Sequence, residues 1–200
     1  MLKTTTGSRG FDLVWAAPLL IVLAMVIPGT SAAWSEDEEA ASTTATESAI
    51  LAGGCFWGME DLLRELEGVV DTEVGFASIA GNRKAEPAEA VRIDFDPTRI
   101  SYEKILRFYF RIHDPTTKNR QGNDRGAEYR SAIFVLSDEQ RATAERVRDE
   151  VDASGFWRNP VVTEIVDAGR FKEAADYHQD YLEKNPGGYT CHYYRADRTE

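Results

Sequence analysis

The chain has 200 residues, of which 42% are hydrophobic, and its formal net charge is −11 at neutral pH. This length is sufficient for one domain with a substantial hydrophobic core and an N-terminal extension. The acidic balance argues against nucleic acid or an anionic membrane surface as a partner, because both carry negative charge.

The first 33 residues have the pattern of a secretory signal peptide. A weakly basic start precedes the uncharged apolar residues 13–27, and the small residues that end at Ala33 suit a cleavage site. A transmembrane anchor is the alternative, but fifteen apolar residues are fewer than the ~20 that a spanning helix needs. We therefore predict that residues 1–33 are removed on export, into the periplasm or outside the cell, and that the mature protein begins at Trp34 without stable membrane insertion.

Residues 34–48 are predicted to be a disordered linker. Four consecutive acidic residues are followed there by Ala, Ser and Thr, without a periodic apolar face. The folded domain is expected to begin near Ala49 and to run to residue 200, with a mobile C-terminal tail. No internal repeat is visible in it.

Hydrophobic periodicity predicts a mixture of short strands and helices in this domain. A long polar stretch between the second and third helices is of the kind that is usually functional or disordered. Because the elements mix without strict βαβ alternation, we predict an α+β fold, a two-layer α/β sandwich with a mostly antiparallel mixed sheet. In chain order, the predicted elements are a strand 49–52, a helix 56–67, strands 69–76 and 89–95, a helix capped by Ser101, the polar loop 113–129, a strand 131–136, a helix 138–153, a strand 161–166 and a helix 172–184.

Cys55 lies where the first strand meets the first helix, after Gly53-Gly54 and before Phe56 and Trp57. Backbone N–H groups at a helix N-terminus favour thiolate over thiol, so this position predicts a lowered pKa for the cysteine. The glycines permit a sharp turn that leaves the sulfur uncovered, and the two aromatic rings would suit a thioether or a sulfoxide. The alternative is a buried core cysteine with the rings as ordinary core residues.

The sequence has two cysteines, Cys55 and Cys191. In an exported chain they could form one structural disulfide, which would make this a non-catalytic stapled domain. Together with His113, His178 and His192 they show no paired zinc spacing, and no P-loop or dinucleotide fingerprint is present. We therefore expect neither a metal nor a bound cofactor. A thiol hydrolase that pairs Cys55 with His178 stays open, although the second glycine of a nucleophile elbow is missing.

A series of motifs in a fixed order resembles the type A peptide-methionine (S)-S-oxide reductases. The first is the segment Gly54-Cys55-Phe56-Trp57-Gly58, and the resemblance covers residues 49 to about 195. It implies the family's two-layer α/β sandwich and an enzyme that repairs methionine-S-sulfoxide, in proteins or free. The other matching segments are residues 88–93, 95–97, 100–102, 113–116, 119–124, 129–131, 177–182 and 184–189.

The resemblance implies the two groups that sulfoxide reduction requires, a nucleophilic thiolate and an acid for the departing oxygen. Cys55 matches the family's nucleophile and Glu89 matches its acid. Burial beside aromatic rings would raise the pKa of that carboxyl group toward neutrality, as an acid catalyst needs. The alternative for Glu89 is a solvated carboxylate at the end of a strand.

Five further positions receive roles from the resemblance. Asp124 and Tyr129 match residues that hold a water or the sulfoxide oxygen, and a phenol donor is chemically sensible there. The alternatives are a turn aspartate and a core tyrosine. Phe56, Trp57 and Phe76 match the pocket for the substrate's methyl group.

Cys191 matches a resolving cysteine, although the family often places it directly after the tyrosine, whereas Thr190 follows Tyr189 here. A sulfenic acid on Cys55 would condense with Cys191, and a thioredoxin-like dithiol would reduce the disulfide. His192 is interpreted as an exposed neighbour. We expect a monomer that binds oxidised proteins or free methionine sulfoxide.

The chain departs from the family in the segment before the matched acid. Residues 77–88 are shorter than usual and contain no tyrosine, and Phe76 stands where tyrosine is common. One hydroxyl donor to the sulfoxide oxygen is therefore missing. The developing charge on that oxygen would rest more heavily on Glu89 and Tyr129 unless Arg83 or Lys84 reaches the site.

Overall fold

The structure, a computed structural model, describes residues 45–196. The predicted signal peptide and most of the predicted linker lie outside these residues. The first strand begins at Glu47, slightly before the predicted start of the domain. Within the described part of the chain, no helix is long and apolar enough to cross a membrane. The strands are β1 (Glu47–Gly53), β2 (Val69–Ile79), β3 (Ala88–Phe95), β4 (Arg120–Gln121), β5 (Asp124–Arg125), β6 (Ser131–Val135) and β7 (Glu164–Glu173), and the helices are α1 (Phe56–Arg64), α2 (Tyr102–Ile112), α3 (Asp138–Ala153) and α4 (Tyr181–Lys184).

Five strands form one mixed sheet in the order β1-β3-β2-β7-β6, and β6 pairs with β1 to close it. The β6–β7 pair is parallel and the other pairs in this sheet are antiparallel. This confirms the predicted α+β class and the mostly antiparallel mixed sheet. The closure of the sheet was not predicted, since it depends on the pairing of strands far apart in the sequence.

The helices pack on the sheet through the alternating residues of β3. Val91, Ile93 and Phe95 are fully buried and belong to one core with the apolar face of α2. Helix α2 begins where predicted, because Ser101 Oγ accepts a hydrogen bond from the Lys104 N–H at 3.2 Å. Each large apolar side chain buried in this core contributes about 1.5–3 kcal/mol to stability.

The prediction was wrong in the C-terminal part of the chain. Residues 172–184 do not form one helix, because β7 extends to Glu173 and only the four residues of α4 are helical. Pairing with β2 continues to Glu173 and overrides the local helical pattern. Beyond it, the Gln179 side chain accepts from the Val74 N–H at 2.8 Å and donates to the Val74 carbonyl at 2.9 Å. This side chain therefore takes the place of a pairing strand.

Candidate active site

Cys55 occupies the turn between β1 and α1 and is the N-cap residue of the helix, as predicted. Gly54 has a φ of +108°, which residues with a side chain rarely adopt, and a Cβ there would lie 2.5 Å from the Gln121 Cβ. A residue larger than glycine would therefore displace the turn. Cys55 itself is 7% exposed, so it is much less open than the sequence suggested.

A buried hydrogen-bonded group lies under this turn. The Tyr109 hydroxyl donates to the Ala52 carbonyl at 2.8 Å, and the Ser131 hydroxyl is 2.9 Å from Tyr109 Oη, 2.8 Å from His113 Nε2 and 2.7 Å from Thr163 Oγ1. Burial lowers the pKa of His113 to about 3, so its imidazole is neutral. This group was not predicted from the sequence, because its members come from α2, β6 and two loops. Their bonds hold the backbone on which Cys55 sits.

Glu89 lies on β3 opposite Phe76 of β2, and its side chain reaches the first residue of α1. Its Oε2 accepts the Phe56 N–H at 3.1 Å. Burial raises the pKa of Glu89 to about 7; the Phe56 N–H opposes this rise, and the charges of Asp124 and Glu128 add to it. The carboxyl group is therefore not a solvated strand end. As predicted, it can exist in both protonation states near neutral pH.

The pKa of Cys55 departs from the prediction. Burial raises the pKa of this thiol to about 12, and the charges of Glu89, Asp124 and Cys191 add to the rise. The Trp57 backbone N–H lowers it, as expected at a helix N-terminus, but the loss of hydration outweighs that effect. The resting Cys55 side chain is thus a protonated thiol.

The C-terminal tail brings Cys191 into the same site. Asp124 Oδ2 accepts a hydrogen bond from the Tyr189 hydroxyl at 3.0 Å and one from Cys191 Sγ at 3.5 Å. Burial raises the pKa of Cys191 to about 11 and the Asp124 charge adds to this, while the Cys55 backbone N–H opposes it. Both cysteines are free thiols. Tyr189 was not among the predicted site residues, although its place two residues before Cys191 was a usable signal.

Tyr129 ends the 3-10 turn Ala127–Tyr129 that follows β5. Partial burial raises the pKa of its phenol to about 12, and the charges of Glu89, Asp124, Glu128 and Cys55 raise it further. The charges of both Cys55 and Glu89 thus act on this hydroxyl. The phenol remains protonated at neutral pH and is able to donate a hydrogen bond.

An aromatic group covers the other side of the Cys55 turn. Phe56 is 2% exposed and its ring meets Phe76 edge-on, with 5.8 Å between the ring centroids. Trp57 is more open; it stacks on Tyr181 at 3.8 Å and donates its indole N–H to His178 Nδ1 at 3.1 Å. His178 therefore orients Trp57. Among the described residues no hydrogen bond joins His178 to Cys55. The hypothesis of a thiol hydrolase that pairs these two residues therefore receives no support.

His192 was expected to be exposed, but it is buried with 6% of its surface exposed. One ring nitrogen, Nε2, lies 2.8 Å from the Gly53 carbonyl oxygen. A Cβ at Gly58 would lie 2.7 Å from the other, Nδ1, so the last glycine of the first motif provides the room for this imidazole. This contact was not predicted, because its two residues come from opposite ends of the domain sequence.

Comparison with known proteins identifies the family. The family model described as "Peptide methionine sulfoxide reductase" matches residues 47–200. The chain belongs to the type A peptide methionine sulfoxide reductases. The reductase from Mesorhizobium japonicum named MsrA 1 is 55% identical over 157 residues, which cover 76% of this chain and 91% of that protein.

Solved structures share the fold. The reduced form of Mxr1 from Saccharomyces cerevisiae is 34% identical, covers 77% of this chain and 94% of its own, and has a TM-score of 0.70. Mxr1 has also been crystallised in complex with Trx2; that chain is 28% identical, with 76% and 91% covered and a TM-score of 0.56. The chain is accordingly an enzyme that reduces methionine sulfoxide.

The segment before Glu89, which was predicted to be shorter than is usual in the family, forms a turn between β2 and β3. Asn82 Oδ1 accepts the backbone N–H groups of Lys84 and Ala85, both at 3.2 Å, and the side chains of Arg83 and Lys84 are exposed. Neither cation forms a hydrogen bond or ion pair with the site within residues 45–196. In that same part of the reductase, no group of three or more His, Cys, Asp or Glu side chains is placed to hold a metal ion.

Proposed function

We propose that this reductase acts on methionine-S-sulfoxide, in proteins or free, through a Cys55 sulfenic acid and then a Cys55–Cys191 disulfide. The observation that carries the proposal is the convergence of Cys55, Glu89 and Cys191. Glu89 is bonded to the residue that follows Cys55, and the charges of Glu89 and Cys191 both act on the Cys55 thiol. These are the nucleophile, the acid and the second thiol that the reaction needs.

The raised pKa values of Cys55 and Glu89 fit a site in which one proton is shared. A thiol beside a carboxylate contains the same number of protons as a thiolate beside a carboxylic acid. Transfer of the Cys55 proton to Glu89 thus produces the nucleophile and the acid together. Because burial penalises either charge, only one negative charge is carried by the pair at any moment.

Oxygen transfer then follows from this arrangement. The Cys55 thiolate attacks the sulfoxide sulfur while Glu89 protonates the oxygen, and the Tyr129 hydroxyl donates to that oxygen as its charge develops. Methionine leaves and Cys55 becomes a sulfenic acid. Attack by the Cys191 thiol forms the disulfide and releases water.

A thioredoxin-like dithiol would return both cysteines to thiols. The complex of the yeast relative with Trx2 supports this choice of donor. We propose no bound cofactor, because the two cysteines carry all the electrons of the cycle. We further propose that the enzyme acts as a monomer after export, with the donor in the same oxidising compartment.

A coupled assay tests this function. Purified protein is given each sulfoxide epimer separately, with dithiothreitol as reductant, and methionine is measured. We expect reduction of the S epimer and none of the R epimer. Reduction of neither epimer by folded protein would leave the stapled, non-catalytic domain as the better description, and the alkylation rate of Cys55 would then be that of an inert thiol.

Export gives a separate prediction for the N-terminus. Protein recovered from the periplasm or the medium is expected to begin at Trp34, because small residues precede this position. Intact mass of the exported protein measures this directly. A full-length species that stays with the membrane fraction would support an anchor instead.

Glu89→Gln is expected to slow oxygen transfer by roughly 10²-fold or more, because the positioned acid is lost. The same change is expected to stabilise the fold at pH 8 by about 2 kcal/mol. The folded pKa of about 7 lies above the ordinary value of 4.5, so the wild type loses stability as the pH rises through this interval, and the amide avoids that loss. Single-turnover rates and thermal unfolding at pH 4 and pH 8 measure the two effects; a wild-type rate would show that another group supplies the proton.

A further inference from the structure

The imidazole of His192 contacts both Cys191 and the turn that carries Cys55. Its Nε2 lies 2.8 Å from the Gly53 carbonyl oxygen and its Nδ1 lies 3.6 Å from Cys191 Sγ. A carbonyl oxygen only accepts hydrogen bonds, so Nε2 must carry the proton. A neutral imidazole has one N–H, and Nδ1 therefore presents a free lone pair to the Cys191 thiol.

Packing fixes this orientation of the ring. A Cβ at Gly54 would lie 3.3 Å from His192 Cε1, and one at Gly58 would lie 2.7 Å from its Nδ1, so both glycines allow the ring to approach the backbone closely. The His192 backbone N–H donates to Thr190 Oγ1 at 3.1 Å. The ring is consequently held on both sides, as a group that transfers a proton should be.

Asp124 is the competing acceptor for the Cys191 proton, since its Oδ2 lies 3.5 Å from the same sulfur. That oxygen also accepts the Tyr189 hydroxyl at 3.0 Å, whereas Nδ1 of His192 has Cys191 as its sole hydrogen-bond partner within residues 45–196. The Asp124 charge also disfavours a Cys191 thiolate, so attack by Cys191 requires a neighbour that removes its proton during the reaction.

Burial is the main reason why His192 is neutral at working pH. Burial lowers its pKa to about 4 and the charge of Arg195 lowers it further, while the Gly53 carbonyl and Asp124 act in the opposite direction. His113, the other imidazole close to it, is neutral as well. The lone pair of Nδ1 is therefore available across the range from pH 6 to pH 9.

We propose that His192 is a catalytic base for the resolving step, an inference that rests on the proposed function. Nδ1 accepts the proton of the Cys191 thiol as Sγ of Cys191 attacks Sγ of Cys55. The S–O bond of the sulfenic acid breaks, and the departing hydroxide takes the proton from Nδ1 and leaves as water. Cys191 is oxidised, the sulfenic sulfur of Cys55 is reduced to the disulfide level, and the imidazole returns to its neutral form.

His192→Gln tests the proposal, because glutamine retains an N–H donor for the Gly53 carbonyl but has no basic nitrogen. One equivalent of sulfoxide is mixed with reduced enzyme without a recycling dithiol, and samples are quenched in acid. Methionine reports the first step, and protein mass separates sulfenic acid from disulfide. We expect an unchanged rate of methionine formation and disulfide formation slower by about 10²-fold at pH 7.

The pH dependence distinguishes a chemical from a structural role. In wild type, the rate of disulfide formation should be nearly constant from pH 6 to pH 9. In His192→Gln it should rise about tenfold per pH unit, because only the small thiolate fraction of Cys191 then reacts. Tyr193→Phe is the matched control, since Tyr193 adjoins His192 in the tail but is 60% exposed, and it should behave as wild type.

Disulfide formation in His192→Gln at the wild-type rate and pH dependence would overturn the proposal and leave Asp124 as the base. A slower step with no change in pH dependence would also overturn it, in favour of a structural role. Absence of methionine in wild type would overturn the proposed function and the inference with it. Should His192→Gln fail to fold, His192→Asn carries the same test, because its amide occupies the region of Nδ1 without basicity.

Discussion

Cys55→Ser should abolish the reduction of methionine sulfoxide, whereas Cys191→Ser should form about one methionine per enzyme and then stop when the reductant is a protein dithiol. The serine hydroxyl is a far weaker nucleophile than a thiolate, so without Cys55 no oxygen is transferred. Without Cys191 the sulfenic acid forms but finds no internal thiol. Methionine formed per enzyme, measured with and without a recycling system, separates the two variants.

A small dithiol provides the control for Cys191→Ser. Dithiothreitol can enter the site and reduce the sulfenic acid directly, so turnover should return when it replaces the protein donor. Continued turnover of Cys191→Ser with the protein donor alone would contradict the resolving role. If Cys55 and Cys191 formed only a structural staple, neither serine variant would change methionine formation, and both would unfold more easily by about 2–4 kcal/mol.

Local sequence was sufficient to predict the turn that carries Cys55. A strand, a pair of glycines and an amphipathic helix predicted the position of Cys55 at the N-cap of α1, and the structure has it there. The pKa of its thiol was not predictable in the same way. The helix N-terminus lowers it, but burial decides the direction, and the charges of Glu89, Asp124 and Cys191, which are remote in sequence, add to the rise.

The C-terminal part shows the same limit for the fold. Residues 172–184 have a helical pattern, but Lys172 pairs with Phe76 and Glu173 pairs with Gly75 in the sheet. His192 is buried because Gly54 and Gly58 leave space for its ring. The resemblance assigned a role to Cys191 from its place in the sequence, whereas the contact of Cys191 with Asp124 and His192 depends on the folded tail.

The segment before Glu89 was predicted to be short and to lack one hydroxyl donor to the reacting oxygen. The turn there points Arg83 and Lys84 into solvent, so neither replaces the missing tyrosine. Tyr129 is under the influence of the Glu89 and Cys55 charges. Tyr189 is the second phenol in the region, bonded to Asp124 and influenced by the charges of Cys191 and Cys55, although its own exposure is 43%.

Tyr129→Phe is therefore expected to cost about 2.7–4 kcal/mol of transition-state stabilisation, which is a loss of about 10²–10³-fold in the rate of oxygen transfer. The phenol that donates to the developing charge is lost while the ring and its packing remain. Tyr189→Phe should show a smaller loss, because its hydroxyl already donates to Asp124 and must leave that bond to reach the oxygen. Single-turnover methionine formation measures both, with Arg83→Ala as the control that should match wild type.

The double variant decides whether the two phenols act on the same oxygen. If both donate to it, the loss in Tyr129→Phe/Tyr189→Phe should differ from the sum of the single losses by about 0.5 kcal/mol or more, as for residues that share a partner. Additive losses would mean that Tyr189 acts only by holding Asp124 and the tail in position. No loss in Tyr129→Phe would mean that the remaining donor is a different group, and a loss in Arg83→Ala would show that the short segment moves into the site when substrate binds.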